Sequence, residues 1–214
     1  MSKVFCDLSM SLDGYVAGPE QTLEEPLGRG GELLHEWVTR LTTWREQHGM
    51  EGGETGPDND VVEEWMGSGA AHVMGRRMFS GGSGRWEDDP NADGWWGDDP
   101  PFHAPVFVLT HHAREQVAKE GGTSYTFVTD GLEAALEQAR AAAGAGGVQI
   151  DGGASVVQQA LRAGLLDELN IHLVPVLLGS GGVRLLDGLD PAALERTRVI
   201  ESPYVTHLRY LPKR

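Results

Sequence analysis

The spacing of apolar and polar positions changes several times along the chain, and each pattern predicts an element. Residues 3–9 are mostly apolar and predict a first strand, which ends at the turn residues 11–14. Residues 19–31 are rich in glycine and proline and predict a loop. In residues 32–47 the apolar side chains recur every three or four positions, which predicts one amphipathic helix.

The middle of the chain combines short elements with a long irregular segment. Residues 58–66 predict a helix with Asp58 as its N-cap. Residues 72–74 predict a strand that leads directly into a helix at residues 75–79. Residues 81–104 are acidic, irregular and rich in tryptophan, so we expect a long loop.

The second half alternates between strands and helices. Strands are predicted at residues 105–110, 125–128, 147–150 and 169–174, helices at 132–143 and 155–163, and a closing hairpin at 197–201 and 205–211. Such alternation predicts a mostly parallel sheet covered by helices on both faces, with the hairpin as an antiparallel edge. The sequence therefore predicts a three-layer αβα protein that forms a single domain over residues 1–214.

Charge excludes one broad class of partner. The chain carries 17 lysines and arginines against 32 aspartates and glutamates, a formal net charge of −15. Because nucleic-acid binding draws much of its affinity from basic side chains, we expect no nucleic-acid partner. A polyanionic ligand is expected only where arginines and helix N-termini concentrate positive potential locally.

The lone cysteine and the absence of long apolar runs indicate where in the cell the protein is expected to be. One cysteine forms no intrachain disulfide and no cysteine-based metal site, and we expect no bound metal. We expect Cys6 to be a buried thiol in the first strand. No run approaches the roughly 20 apolar residues of a membrane span, and the N-terminal residues lack the pattern of a signal peptide. We therefore expect a cytoplasmic protein with no membrane partner.

A first candidate ligand site is the paired glycines Gly152 and Gly153, which follow an apolar strand and precede a predicted helix. Glycines let the backbone approach a ligand closely. The free N–H groups and the dipole of a helix start favour a pyrophosphate. The alternative is a tight strand-to-helix turn with no ligand, and the segment alone does not decide between the two.

Two further strand ends carry candidate chemistry. Arg76 and Arg77 stand at a predicted helix start, where they oppose the helix dipole unless an anion binds, and guanidinium groups suit phosphate. A solvated helix start is the alternative. Thr110 and His111 end another strand, where ligands bind in open α/β sheets. An ordinary polar turn is the alternative there.

One irregular loop is a candidate substrate-binding segment, and several common functional motifs are missing from the sequence. Residues 86–102 include Trp96 and three other large aromatic residues, which either wall a flat heteroaromatic substrate or anchor an acidic surface loop. No G-x-G-x-x-G segment follows a strand, so we expect no Rossmann domain. No P-loop, H-E-x-x-H or G-x-S-x-G segment occurs, and the calcium-loop-like residues 89–94 lack the required glutamate.

Five segments taken together resemble the dihydrofolate-reductase-like family, in particular the reductase domain of riboflavin biosynthesis and its stand-alone relatives. They are S-M-S-L-D-G-Y-V-A-G at 9–18, V-M-G-R at 73–76, P-V-F-V-L-T at 105–110, I-D-G-G at 150–153, and L-R-A-G-L-L-D-E-L at 161–169 leading to P-V-L-L-G-S-G at 175–181. The resemblance implies a dihydrofolate-reductase-like fold and an NADPH-dependent reductase of a small heterocyclic or carbonyl substrate. It also implies a homodimer with subunit contacts in residues 165–186.

The resemblance further implies a role for named residues. The first turn lies over the nicotinamide, the other corners hold the phosphates, and a cis peptide is expected between the paired glycines. The implied cofactor-binding residues are Val16, Ala17, Gly75, Arg76, Arg77, Thr110, His111, Gly152, Gly153, Ala154 and Ser155. Asp13 and Glu36 are the candidate catalytic acids, and the alternatives are a turn hydrogen bond for Asp13 and a solvated helix carboxylate for Glu36. Ser11, Trp44 and Trp96 are expected to contact the substrate.

Two other hypotheses stay open from the sequence. The same scaffold can hold a nucleotide without turnover, because the sequence does not assure a proton donor. It can also serve as a non-catalytic dimerising protein.

Overall fold

The computed structural model describes residues 2–213 and shows an α/β fold. Among these residues the strands are β1 Val4–Ser11, β2 Tyr15–Ala17, β3 Gly69–Gly75, β4 Pro105–Leu109, β5 Val117–Ala118, β6 Ser124–Val128, β7 Gly147–Gly152, β8 Glu168–Val174, β9 Val183–Arg184, β10 Leu194–Glu201 and β11 Thr206–Pro212. The α-helices are α1 Glu36–Thr39, α2 Thr42–Gln47, α3 Pro57–Met66, α4 Arg76–Ser80, α5 Leu132–Ala143 and α6 Ala154–Arg162. Within the described part of the chain, no helix has the length and apolar character that a bilayer crossing requires.

A large mixed sheet organises the molecule. Its strand order across the described residues is β10-β11-β8-β1-β7-β3-β4-β6-β5. The central strands from β8 to β6 run parallel to one another. The hairpin of β10 and β11 is antiparallel at one edge, and β5 is antiparallel at the other. The predicted sheet, including its antiparallel C-terminal hairpin, is confirmed.

One face of this sheet is apolar and packs against α5 and α6. Alternate residues of the central strands point to that face, among them Cys6, Val73, Ile150 and Leu169, all fully buried in one cluster. Cys6 is a free, buried thiol as predicted. Because parallel strands are buried on both faces, their apolar side chains need a helical layer on each side.

The opposite face is covered by α1–α4 and by residues 81–104. One apolar cluster packs Leu34, Trp37 and Val62 under α1–α3. A second packs Phe79 and Tyr125 with the rings of the tryptophan-rich loop. The three-layer αβα architecture is therefore confirmed, with helices α5 and α6 on one side and the shorter helices and the loop on the other.

The prediction of one helix over residues 32–47 is wrong. A 3₁₀ turn, Gly31–Leu34, precedes α1, and Leu41 separates α1 from α2. The backbone of Leu41 is extended, with ψ of 147°, and it bridges to Glu54. The helical spacing persists across this break because the apolar residues on both sides pack into one cluster. Spacing alone therefore does not reveal the interruption.

The prediction of Asp58 as the N-cap of α3 is also wrong. Gly56 is the N-cap, and α3 begins at Pro57, a residue well suited to the first helical position. Asp58 is buried in the first turn, where its carboxylate accepts a hydrogen bond from His207 at 3.1 Å. The tertiary partner, which lies 149 positions away in the chain, draws Asp58 inward.

Candidate functional site

The pairing of β1 with β7 ends well before the carboxyl ends of the parallel strands, and we call the gap between the two strands beyond that point the crevice. β1 pairs with β7 only at Val4 and Phe5, whereas it pairs with β8 from Phe5 to Ser11. β7 instead continues beside β3 as far as Gly152. Ligands of open α/β sheets bind in crevices outside the carboxyl ends of the strands. The divergence of β1 and β7 therefore marks the candidate site.

The two glycine-containing corners predicted from the sequence lie next to each other at this crevice. Met74 pairs with Gly152, and a Cβ atom on Gly75 would lie 3.6 Å from the Gly153 nitrogen. A Cβ atom on Gly152 would lie 3.7 Å from the side chain of Leu8, which belongs to β1. The peptide bond between Gly152 and Gly153 is cis, as predicted. The backbone of Gly152 has φ of 133°, a conformation that favours glycine.

The start of α6 is open on its outer side. A Cβ atom on Gly153 would meet no atom within 4 Å beyond its chain neighbours, and Ser155 is exposed, while Ala154 is buried. The first N–H groups of a helix have no intrahelical acceptors, and the helix dipole adds positive potential there. This backbone therefore fits the close approach of a pyrophosphate.

Arg76 and Arg77, both predicted to hold phosphate, lie in different surroundings. Arg76 is buried, with its Nη2 2.5 Å from Asp89 Oδ2 and its guanidinium 3.6 Å from the ring centre of Trp86. It also donates to the hydroxyl of Ser80. Burial raises the pKa of Asp89, but hydrogen bonds from Ser80 and Arg76 outweigh it and hold that pKa below its ordinary value. Arg77 is exposed and free to meet an anion from solvent.

Thr110 and His111 end the next strand along the same edge of the sheet. Thr110 is buried, and its hydroxyl accepts a hydrogen bond from the N–H of His112 at 3.1 Å. Its own N–H donates to the carbonyl of Val128 at 3.1 Å. His111 is exposed. The pairing of β4 with β3 places these residues beside the corner at Gly75, and their contact with the cofactor phosphates stays a prediction.

Ser11 and Asp13 form a clamp at the end of β1. The hydroxyl of Ser11 donates to Asp13 Oδ1 at 2.6 Å and accepts from the N–H of Tyr15 at 2.9 Å. Asp13 also accepts from the N–H groups of Leu178 and Gly179, at 3.2 and 2.9 Å. These hydrogen bonds, chiefly that from Ser11, hold the pKa of Asp13 below its ordinary value. Asp13 is therefore ionised at neutral pH, and its role as a proton donor stays a prediction.

Val16 and Ala17 lie on β2, in the ribbon that β2 forms with β9. Val16 is half-buried against the main apolar cluster, and Ala17 is buried. The N–H of Leu185 donates to the carbonyl of Gly14 and ties this ribbon to the turn after β1. The ribbon thus follows directly from the β1 end that borders the crevice, and its contact with nicotinamide stays a prediction.

Glu36, Trp44 and Trp96 lie in the layer of short helices and loop. Glu36 is exposed at the start of α1. Trp44 stacks on His48 with 3.8 Å between the ring centres. Trp96 makes an edge-to-face contact with Phe102, with ring centres 5.0 Å apart. These contacts are internal to the layer, and the catalytic or substrate-binding roles of the three residues stay predictions.

Four buried titratable residues that the sequence analysis assigned to no functional site lie together between α3 and the face of the sheet opposite α5 and α6. Nδ1 of His172 is 2.8 Å from Nδ1 of His207, and Nε2 of His207 is 3.1 Å from Asp58 Oδ1. Nε2 of His172 is 3.7 Å from Asp7 Oδ1. β1, β8, β11 and α3 each supply one member, so the cluster exists only in the folded chain.

The sequence does contain a signal for this cluster. Glu168, Asn170 and His172 alternate with apolar residues in a strand that we expected to be buried on both faces. Such a strand normally has a nearly continuous apolar sequence, so polarity with a period of two marks a polar stripe beneath a covering layer. All three residues are buried.

Burial shifts these groups toward their neutral forms. Burial raises the pKa of Asp7 to about 7, and the neighbouring Asn170 side chain only partly opposes the shift. Burial, with help from His207, lowers the pKa of His172 to about 3. Burial also lowers the pKa of His207, against the opposing effect of Asp58. Both histidines are therefore neutral at pH 7.

The relation of this chain to known families agrees with the geometry of the crevice. The RibD C-terminal domain family matches residues 2–207. The chain belongs to the RibD C-terminal domain family. No curated protein matches it.

The same fold occurs in solved structures of several other proteins. A protein of Shewanella sp. PV-4 named for riboflavin biosynthesis is 24% identical, with each chain covering 100% of the other and a TM-score of 0.65. RibD of Acinetobacter baumannii is 15% identical with a TM-score of 0.64, and the match covers 100% of this chain and 59% of that one. Dihydrofolate reductase of Enterococcus faecalis, complexed with NADP(H), is 14% identical with a TM-score of 0.52, covering 99% and 97%. The predicted dihydrofolate-reductase-like fold is confirmed.

The buried Asp7 makes the stability of this RibD C-terminal domain depend on pH in a predictable direction. Its folded-state pKa of about 7 is above its ordinary value of 3.8, so the unfolded chain releases this proton first as the pH rises. The folded protein therefore loses stability from about pH 4 to pH 7, and Asp7→Asn abolishes that loss. From about pH 5.5 to pH 8 the variant should gain about 2 kcal/mol relative to wild type in urea unfolding.

A matched control is Glu36→Gln, which removes a carboxylate that is exposed. Its free energy of unfolding should follow the wild-type pH dependence. If the free energy of unfolding of Asp7→Asn also follows the wild-type pH dependence, the pKa of Asp7 is not raised in the folded protein. The description of the buried cluster is then wrong.

Proposed function

We propose that this protein is an NADPH-dependent reductase that transfers hydride to a small heterocyclic or carbonyl compound. Membership of the RibD C-terminal domain family supports a reductase of the riboflavin biosynthesis type. The observation that carries the proposal is the crevice between β1 and β7, with the open start of α6 at its edge. A chain of net charge −15 binds a polyanion only at such a local site.

Backbone groups hold the pyrophosphate in this proposal. Gly152 and Gly153 allow the close approach, and the N–H groups of Ala154 and Ser155 donate to the phosphate oxygens. Val16 and Ala17 cover the nicotinamide side of the crevice. When bound, NADPH supplies the hydride, and the protein positions the ring against the substrate and excludes water.

The remaining phosphate contacts divide between two arginines. Arg76 already has Asp89 and Ser80 as partners, so we assign it the task of fixing the corner that contains Gly75. Arg77 is exposed and is the direct phosphate contact in this proposal. Thr110 and His111 lie beside this corner and complete the phosphate-binding edge.

Reduction of a C=N or C=O bond also needs a proton. Asp13 is ionised and accepts hydrogen bonds from Ser11, Leu178 and Gly179, so we propose that it positions the turn rather than donates. An ordered water in the crevice then delivers the proton. Glu36 is the alternative donor, and its exposed position would require the substrate to reach the start of α1.

Consumption of NADPH tests the proposed activity. We expect loss of NADPH absorbance with at least one member of a panel of pteridines, ribosylaminopyrimidines and quinones. Ser155→Asp should abolish it, because a carboxylate at the start of α6 repels the pyrophosphate while it interacts favourably with the helix dipole. The thermal midpoint should therefore stay or rise while NADPH affinity falls by about tenfold or more.

Ser155→Ala is the control, and it should keep both activity and affinity. Unchanged NADPH affinity in Ser155→Asp would place the pyrophosphate elsewhere. Tight NADPH binding without turnover on any substrate would favour a nucleotide-binding protein without catalysis.

Selectivity between NADPH and NADH tests the division of roles between the arginines. A charge-assisted contact contributes about 1.5–3 kcal/mol, so Arg77→Ala should weaken NADPH binding by about ten- to a hundredfold. NADH, which lacks the 2′-phosphate, should bind nearly as before in a fluorescence titration. The exposed Arg85, which pairs with Glu87, supplies the control variant Arg85→Ala. Equal losses for both cofactors in Arg77→Ala would contradict the assignment.

We also propose that the protein is a homodimer. Leu12, Leu177 and Leu186 are 63%, 69% and 44% exposed. The N–H of Leu12 donates to the carbonyl of Val176, which brings the first two leucines to one surface. Sedimentation equilibrium should give a dimer that Leu177→Glu converts to a monomer. A monomeric wild-type protein at micromolar concentration would contradict the proposal.

A further inference from the structure

A cavity of about 820 Å³ lies at the amino ends of the parallel strands, beneath α3, and extends around the edge of the sheet to the end of α5. Phe5, Val61 and Trp65 give it apolar and aromatic walls. Its exposed lining residues, among them Lys3 and Ser68, mark the mouth. The volume is within the range of small-molecule pockets.

Among the described residues that line this cavity, three buried side-chain atoms have no hydrogen-bond partner: Arg140 Nε near the end of α5, Asp7 Oδ2 and His172 Nε2. The side chains of Asp7 and His172 adjoin each other and are only 5% and 2% exposed. Both residues line the cavity. Because an unpaired buried polar atom costs free energy, native proteins rarely leave such atoms unsatisfied. The pair therefore indicates a missing partner in the cavity.

The hydrogen-bond network fixes what His172 Nε2 can do. The carboxylate of Asp58 accepts from Nε2–H of His207, so the neutral His207 presents Nδ1 as an acceptor. Nδ1–H of His172 must then donate to His207 Nδ1, across 2.8 Å. That tautomer, assigned from the network, leaves Nε2 of His172 as an acceptor. It lies 3.7 Å from Asp7 Oδ1, so two acceptors face each other at the floor when Asp7 is ionised.

The charges at the mouth do not neutralise this floor. Lys3 pairs with Glu168 at 2.8 Å. Arg198 and Arg209 both bind Glu64. These three basic groups are therefore occupied by acids of the cavity wall. The fourth basic residue of the lining, Arg140, lies near the end of α5. Among the described residues, no lysine or arginine lies within ion-pair distance of Asp7.

The cavity is separate from the crevice between β1 and β7. Trp37 lies on the carboxyl side of the floor, where its indole N–H donates to the hydroxyl of Ser9 at 3.0 Å. Its ring is also 5.1 Å from the rings of both His172 and His207. Trp37 is 2% exposed and closes that side, so a ligand enters from the amino edge.

We propose that this cavity is a second binding site, for a planar organic cation of the amidinium or guanidinium type. Such a group has N–H donors along one edge, which match the two oxygens of Asp7 and the nitrogen of His172. Its positive charge balances the otherwise unpaired carboxylate. The flat body of the ligand lies between Phe5 and Trp65, where a cation also gains from the aromatic faces. The proposal does not rest on the reductase activity.

Isothermal titration with benzamidine at pH 8, where Asp7 with its pKa of about 7 is mostly ionised, tests this site. We expect saturable binding at one site per chain, and no binding of benzamide, the neutral analogue. Asp7→Asn should weaken benzamidine by about tenfold or more, because it removes the negative charge. Glu195→Gln, which removes an exposed carboxylate elsewhere, should bind as wild type does. Saturating NADPH should leave the benzamidine affinity unchanged, because the two sites are separate.

A second variant keeps the test decisive if Asp7→Asn does not fold. Ser68 is exposed at the mouth, so Ser68→Trp should block entry without disturbing the core. Benzamidine affinity should fall in that variant as well. No saturable binding by wild type, binding that both variants retain, or binding that NADPH displaces would each overturn the proposal.

Discussion

The backbone of a strand that leaves its neighbour must find other partners, or its N–H and C=O groups stay unpaired. β1 leaves β7 after Phe5 and keeps β8 as far as Ser11, so it stays hydrogen-bonded on one side while a crevice opens on the other. The Ser11–Asp13 clamp then fastens the end of β1 to the segment after β8. The open start of α6 borders a crevice only because β1 has moved away from β7.

The large negative net charge of the chain explains why each candidate site depends on the local arrangement of its groups. In a chain of net charge −15, the nearest acid neutralises even a well-placed arginine, and Asp89 does this to Arg76. The proposed anion binding at the crevice therefore depends mainly on backbone N–H groups and the dipole of α6. At the other end of the sheet, burial has the opposite consequence. It leaves Asp7 without a basic partner, so a cation is the ligand that suits it.

The sequence predicts those parts of the fold that depend on local patterns. The bounds of α5 match the prediction, because its apolar side chains repeat with the helical period. The glycine corner at Gly152–Gly153 was identifiable because a strand, a turn and a helix follow one another there. The break at Leu41 was not, since its cause is a bridge to Glu54. The ion pair of Arg76 with Asp89 and the cluster around His172 were not identifiable either, because both depend on residues that are distant in the sequence.

A crystal structure with bound NADPH tests the central claim most directly. The account predicts the pyrophosphate within hydrogen-bond distance of the N–H groups of Ala154 and Ser155, with the nicotinamide in the crevice between β1 and β7. A cofactor bound away from Gly152–Gly153, or a crevice filled by the protein's own side chains in the presence of saturating NADPH, would contradict it.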